Sequence, residues 1–515
     1  MAYGIAQIAG SDPTGIAVTD GVTEWTWRQL NTVLNQTVNW LVDTVAPGRR
    51  LAVAAANSTH TALAHLAGTY AGLSVVPVNH ALGVDEMAYL LADSAAEVVL
   101  CSARTAATVR AASPTATVVA WDLDADDAPA GVDAFASVVA AYPDTEPSEL
   151  IAPARPLYYT SGTTGRPRGV ELPEQMFPTG GSIVEHVRRF AASRLRPTGR
   201  HLVVGPLHHT GPIGGVRGLA AGNPVVILRK FDAEDVLWLI DAKAIGHSVM
   251  VPTHFSRLLA LPEHTRARYD VSSVQTIVHT GAPCPVHVKR AMIDWFGPVF
   301  VDAYGSTEVG TVTVIDSHEW LAHPGSVGKA LPGKEITIRN PDGTLCAPGQ
   351  DGLVCVRSTT GEGPSYRNDP EKTRQSYVAD GVFAIGEIGH LDADGYLYLT
   401  DRAADMVVSG GVNVYPAESE AVLRAHPGVR DVAVIGIPHS DMGEQLCALV
   451  TVADPAPTPE ELVSWCRDRL AHYKCPARVE IIDSELRNAM GKINKRQLRE
   501  EYLTANPSAA AKETS

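Results

Sequence analysis

The chain of 515 residues has no uninterrupted apolar stretch of the ~18 residues that a membrane-spanning helix needs. Its nearest approach, Ala62 to Val78, is broken by His65, Thr69, Tyr70 and Ser74, so no membrane span is expected. Met1 to Pro13 lacks a basic segment leading into an apolar run, and no secretory signal is read there. Positive charge is scarce: 42 Lys and Arg stand against 57 Asp and Glu, a formal net charge of −15, with no lysine-rich run. Nucleic acid and anionic membranes are therefore poor partners. Cysteine is sparse as well. The seven, at 101, 284, 346, 355, 447, 466 and 475, never form a Cys-x-x-Cys pair, which argues for a reduced compartment and against a cysteine-based metal site. A soluble cytoplasmic protein is the expectation, and 45% hydrophobic with 19% charged residues is a globular composition. A chain this long should divide into two or more domains.

What is present is concentrated between Tyr158 and Leu172, Tyr-Tyr-Thr-Ser-Gly-Thr-Thr-Gly-Arg-Pro-Arg-Gly-Val-Glu-Leu. Glycines free backbone N–H groups while hydroxyls and guanidinium add donors, so this stretch reads as a loop that wraps a phosphate. It is not a Walker A sequence, because no Gly-Lys-Ser/Thr follows. A strand-like run from Pro156 to Tyr159 feeds it. The plainer alternative is a Gly/Thr-rich surface turn, which the density of hydroxyls and the terminal cation make the weaker reading.

The rest of the chain supplies a scaffold. Thr26 stands as a cap before a helical pattern through Leu34, Val38 and Leu41. Strands at Arg50 to Ala56, Ser74 to Val78 and Val98 to Cys101 alternate with helices at Ala62 to Gly72 and Val84 to Ala92. Such alternation predicts a mostly parallel sheet in an α/β protein. Trp121 to Glu149 reads as a surface connection. Further strands are expected at His201 to Leu207, Pro224 to Leu228, Gln275 to Thr280 and Val299 to Ala303. The last two run into His279-Thr280-Gly281-Ala282-Pro283 and Asp302 to Glu308, where ligands of open α/β sheets collect. Asp-Gly pairs at 342–343, 351–352, 380–381 and 394–395 punctuate a small all-β layer or barrel from Gly328 to Thr400. After Arg402 to Asp405 a new α/β unit begins, with a helix from Ala417 to Ala425, strands at Val432 to Ile437 and Cys447 to Val452, and a helix from Glu460 to Leu470.

The loop at 158–172, Tyr304-Gly-Ser-Thr-Glu308, the run from Gly381 to Arg402, Ser409 to Pro416 and Gly491-Lys492, in this order and spacing, resemble the adenylate-forming superfamily, most of all its acyl-CoA synthetases. The resemblance covers nearly the whole chain. It implies a large N-terminal domain of parallel-type sheets with a small β-barrel layer, residues 1–402, and a small mobile C-terminal α+β domain, residues 403–515. The hinge would lie near 402–405. A carboxylate would attack the α-phosphorus of ATP to give acyl-AMP and pyrophosphate, and a thiol, usually that of CoA, would displace AMP. Thr160, Ser161, Gly162, Thr163, Thr164, Gly165 and Arg168 would hold the distal phosphates, and Thr307 the α-phosphate. Glu308 would bind Mg²⁺. Tyr304 would stack on adenine, with Gly281, Ala282 and Pro283 opposite; Asp302, Gly305 and Ser306 complete that nucleotide site. Glu387 and Arg402 would reach the ribose. Lys492 would neutralise the reacting oxygens. Ser409, Gly410 and Gly411 would line the thiol tunnel, and Lys474 is a candidate contact for CoA phosphates.

Three positions depart from the superfamily's usual pattern. Arg168 stands where the loop commonly ends in lysine, Glu387 replaces an aspartate, and Ala404 occupies the hinge position where Asp or Lys is common. The acyl pocket is expected along His208 to Leu219, including His208, Gly214 and Arg217, with His254 nearby and His209 as its gate. Arg217 has two readings, a buried cation beside an anionic group of the acid or an arginine that reaches solvent. A carrier-protein thiol, an amine or nitrite in place of the usual partners, a homodimer, and a non-catalytic nucleotide-binding protein remain alternatives.

Overall fold

A computed structural model describes residues 4–160, 167–173, 179–192, 199–359, 363–402, 405–409, 412–439, 442–488 and 492–506. The first sheet is parallel throughout, in the order Ser74–Pro77, Arg50–Ala54, Ala96–Ser102, Thr117–Trp121, Val132–Ala134. Its strands are apolar on both faces because each face meets its own core. Leu51, Val53, Val98 and Leu100 join one hydrophobic cluster, while Ala52, Ala54, Val99 and Cys101 join another. This is the pattern of a parallel sheet covered on two sides. The helix Trp27–Thr44 starts at a capping box: Thr26 accepts from the Gln29 backbone and the Gln29 side chain accepts from Thr26 N–H.

Among the described residues the larger sheet has 14 strands. Val225–Ile227, Arg200–Val203, Ile245–Met250, Thr276–His279 and Phe300–Ser306 run parallel at its centre. From Gly310–Asp316 the pairing turns antiparallel and continues through Ser326–Ala330, Leu397–Arg402, Val382–Leu391, Gly352–Ser358 and Lys334–Arg339. The expected β layer is thus an open wing of the main sheet, not a closed barrel. Gly343, Gly381 and Gly395 turn it with φ of 85°, 67° and 83°, as Asp-Gly turns should. Gly352 instead opens a strand.

Residues from Val407 onward build a separate sheet, ordered Val412–Val414, Val407–Ser409, Gly443–Val452, Val429–His439, with Arg478–Ile481 parallel to the third of these. Helices Pro416–Arg424, Pro459–Arg467 and Lys495–Ala505 accompany it. Trp121 to Glu149 proves more ordered than a connection. It contributes the strand Val132–Ala134 and the helix Phe135–Ala140. Seven cysteines are free thiols, and among the described residues no helix is long and apolar enough to cross a membrane.

Candidate active site

Ser161, Gly162, Thr163, Thr164 and Gly165 lie outside the described residues, but the two ends of their loop are in view. Tyr158–Thr160 pairs antiparallel with Arg168–Glu171, which sets Thr160 opposite Arg168. The loop is therefore closed at its base. Arg168 Nε donates to Asp369 Oδ2 at 2.9 Å, and Asp369 also caps the helix Pro370–Ser376 through Lys372 N–H. These donors, Lys372 N–H foremost, hold the Asp369 carboxyl below its ordinary range. Arg168 is thus oriented by a carboxylate, to which its planar guanidinium donates in a more fixed geometry than an ammonium would.

In the large sheet the strand Phe300–Ser306 ends at the C-terminal edge and returns as Gly310–Asp316; Tyr366, paired with Val170 in the loop's own three-stranded sheet, links the two through Glu308. The crossing is tight: a Cβ on Gly305 would stand 1.9 Å from Gly310 O, so only glycine fits. Ser306 Oγ is buried without a hydrogen-bond partner, an unsatisfied hydroxyl of the kind a ligand oxygen completes. Glu308 sits in the turn, where Tyr366 Oη donates to its Oε1 at 3.1 Å. Tyr304 Oη donates to Glu387 Oε2 at 3.1 Å. Glu387 is in register with Arg402 across the antiparallel pair, so the backbone places both ribose candidates side by side. The Arg402 side chain lies outside the described residues, as do Ala404, Gly410 and Gly411.

Asp302, expected to touch the nucleotide, faces inward instead. Its Oδ2 lies 3.2 Å from Lys289 Nζ and 3.5 Å from His279 Nε2, and both partners are fully buried. The Lys289 ammonium also lies 4.8 Å from the centroid of the Trp320 ring. Burial lowers the Lys289 pKa and Asp302 opposes the shift; burial likewise lowers that of His279 to about 4. The sequence reading missed Lys289, since its place in Pro-Val-His-Val-Lys-Arg carries no flag. These contacts tie the strands Thr276–His279 and Phe300–Ser306 to the helix Val286–Phe296. Gly281, with φ of 85°, and then Ala282 and Pro283 leave the neighbouring strand Thr276–His279 at the same edge.

His209 occupies the N-cap position of the helix Thr210–Val216 without a side-chain capping bond, and the helix continues as the 3-10 turn Arg217–Ala221. His208 and His209 have ring centroids 4.3 Å apart, and burial drives their pKa values down to about 2 and about 4. Both rings are neutral. One face of the helix is glycine: a Cβ on Gly211 would meet Val249 and Thr280, one on Gly215 would meet His201, and one on Gly214 would meet open space. Arg217 is on the other face. It lines an interior cavity of about 30 Å³ with His65, Tyr70, Tyr158 and His186, and its Nη2 donates to Tyr158 Oη at 2.9 Å. It therefore ties the helix to the strand that feeds the phosphate loop, its guanidinium turned to a phenol. At about 100° per residue Arg217 lies about 120° from Gly211 and about 160° from Gly215, away from both, but only about 60° from Gly214. His254 is likewise elsewhere, stacked on Phe231 at 4.5 Å with Nδ1 accepting from Val251 N–H.

Lys492 lies close enough to His209 for its charge to depress that ring further. The segment that carries it is fixed by paired bonds: Asn488 Oδ1 accepts from Lys492 N–H, and Asn488 N–H donates to Lys492 O, each at 3.0 Å. Ser409 ends a strand that meets Gly443. Lys474, expected at CoA phosphates, is committed to Glu418.

The AMP-binding enzyme family matches residues 5–362, and the AMP-binding enzyme C-terminal domain matches residues 418–492. A feruloyl-CoA synthase of Amycolatopsis sp is 34% identical over 509 residues, covering 96% of this chain and 97% of its own. The long-chain-fatty-acid–CoA ligase FadD13 of Mycobacterium tuberculosis is 32% identical over 495 residues, 94% of each chain. Among solved structures, the amide bond synthetase McbA from Marinactinospora thermotolerans superposes with a TM-score of 0.81 at 28% identity, over 97% of this chain and 99% of its own.

Proposed function

Since the chain belongs to the AMP-binding enzyme family, we propose that it is an AMP-forming acid–CoA ligase, working through an acyl-adenylate. The observation that carries this reading is a convergence. Lys492, from the C-terminal part, is near enough to His209 for its charge to act on that ring, and His209, Tyr304, Ser306 and Glu308 all follow or end strands of the large sheet.

An acid carboxylate attacks the α-phosphorus of ATP, the bond to pyrophosphate breaks, and the carboxyl carbon gains AMP as its leaving group. Charge gathers on oxygens around phosphorus, so positioning and electrostatics dominate. Arg168 and the loop after Thr160 hold the distal phosphates, and Thr307 with Lys492 meets the reacting ones. Tyr304 stacks on adenine, while Glu387 and Arg402 take the ribose hydroxyls. The neutral His209 borders the carbonyl without adding a second cation. Glu308, with the Thr307 hydroxyl and substrate phosphates, fits Mg²⁺, an ion content with one or two carboxylates. When bound, Mg²⁺ offsets phosphate charge. The CoA thiolate then attacks the acyl carbon and AMP leaves. Ser409, Gly410 and Gly411 would line its approach, after rotation about a hinge at Ala404 between residues 1–402 and 403–515. A cytoplasmic setting suits these substrates.

The test is pyrophosphate release from ATP across aryl, fatty and dicarboxylic acids, with and without CoA, for the native protein and Lys492→Ala. Acid-dependent release that CoA renders multiple-turnover, with a thioester product and a loss of about 10²-fold or more in the variant, supports the proposal. Release that CoA never accelerates transfers the second step to another acceptor, an amine or a carrier-protein thiol. No release with any acid overturns it.

A further inference from the structure

Three residues beyond Lys492, Lys495 begins the final helix, and its ammonium is buried between two carboxylates. Its Nζ lies 3.0 Å from Glu420 Oε1 and 3.9 Å from Asp401 Oδ1. The side chains of Lys495, Glu420 and Asp401 are only 11%, 10% and 5% exposed. These three residues come from different parts of the chain. Asp401 is the next-to-last residue of the strand Leu397–Arg402 of the large sheet, and Glu420 belongs to the helix Pro416–Arg424 of the small one. Asp401 Oδ2 also accepts from Ala417 N–H at 2.9 Å, at that helix's first turn, and Glu420 Oε1 accepts from Val434 N–H at 2.8 Å. Burial by itself would lower the Lys495 pKa, but Glu420, Asp401 and Asp405 outweigh it, so the ammonium stays charged.

We propose that Lys495 is a positioning residue for Lys492: its ion pairs to Asp401 and Glu420 pin the small sheet to the large one in the orientation that delivers Lys492 to the reacting phosphate. The inference rests on the ligase reading above. On one side, Lys492 is held by the Asn488 bonds and by Arg487, whose guanidinium grips Asp431 at 2.6 and 2.9 Å. On the other, between Lys492 and the helix, Asn494 caps the helix by accepting from Gln497 N–H. Lys495 is the link that crosses from this clamp to the large sheet. Buried pairs of this kind are costly to break and specific in geometry, which suits a device that fixes an orientation. A displacement of about 1 Å at the reacting centre can cost on the order of 10²-fold in rate.

The experiment uses the full chain with Lys495→Met, Lys495→Arg, Glu420→Gln and Lys492→Ala. Acid-dependent exchange of pyrophosphate into ATP reports acyl-adenylate formation, and thioester formation from preformed acyl-adenylate and CoA reports the second step. Lys495→Met should lower the exchange kcat by about 10–100-fold while KM for ATP and acid stay near native. Thioester formation from the adenylate should fall far less, and Lys495→Arg should recover most of the exchange. Glu420→Gln, which keeps the acceptor for Val434 N–H, should move both readouts in the same direction as Lys495→Met but by less. Exchange at the native rate in Lys495→Met overturns the proposal. So does an equal fall in both steps with a lowered melting temperature, which marks a merely structural residue. If Lys492→Ala itself exchanges at the native rate, the ligase mechanism fails instead, and the two failures are told apart.

Discussion

Lowering the pH from 7.5 to 5 should destabilise this protein through its buried histidines, and His65 shows how much. It sits on the helix Thr59–Tyr70, is buried, and its Nε2–H donates to Leu207 O at 2.9 Å. Burial lowers its pKa from 6.5 to about 4; the bond to Leu207 opposes the shift and Arg217 reinforces it. The unfolded chain therefore binds more protons than the folded one between these values. Stability from His65 is complete above pH 6.5 and drains away as pH falls toward 4. The loss is roughly 2 kcal/mol at pH 5 and about 3 kcal/mol once pH is below 4. His247 and His279 are lowered to about 4 in the same way, His247 in a buried pair with its Nδ1 2.7 Å from that of His201. A proton on that pair would set two donors face to face. Together the three approach ~6 kcal/mol at pH 5, a large part of a typical folding free energy of about 5–15 kcal/mol. Carboxylates held low, such as Asp342 and Asp369, lose their share only below about pH 4, so the interval from 6.5 to 5 isolates the histidines. Urea midpoints at pH 7.5, 6.5, 5.5 and 5.0 would follow the slope. His65→Gln keeps a donor for Leu207 O and should reduce that slope by up to about 1.4 kcal/mol per pH unit. A midpoint that does not move with pH, or a His65→Gln slope equal to the native one, refutes the reasoning.

Other expectations follow from single contacts. Tyr304→Phe keeps the ring and deletes the bond to Glu387, so KM for ATP should rise by up to about tenfold with the melting temperature unchanged. Glu308→Gln should lower kcat for pyrophosphate release by about 10²-fold, with a steeper dependence on Mg²⁺ concentration than the native protein shows. Lys289→Met leaves the Asp302 carboxylate buried and unpaired; thermal unfolding should report a loss of about 3–5 kcal/mol, and Lys289→Met combined with Asp302→Leu should recover much of it.

Why some of this was legible in the sequence and some not follows from the range over which each feature is decided. The Thr26–Gln29 cap, the apolar parallel strands and three of the four Asp-Gly turns are settled by residues a few positions apart, and the chain folds there as they predict. The strand and helix between Val132 and Ala140 are short and alanine-rich, too weak to form from propensity. They exist because Phe135 packs against His60 and Trp121, contacts across 75 and 14 positions that no local pattern announces. The nucleotide residues were legible because glycines and hydroxyls cluster in sequence as well as in space. Arg217 shows the limit of that logic. Its neighbour Gly214 opens onto free space, yet the guanidinium is turned to Tyr158, a partner 59 positions away that no local pattern announces. Lys289 and Lys495 were less visible still, since each acquires meaning only from a carboxylate on another element. A buried lysine looks like any other lysine until the fold removes its water, and that is why the residues that hold the site in place were harder to read than those that face it.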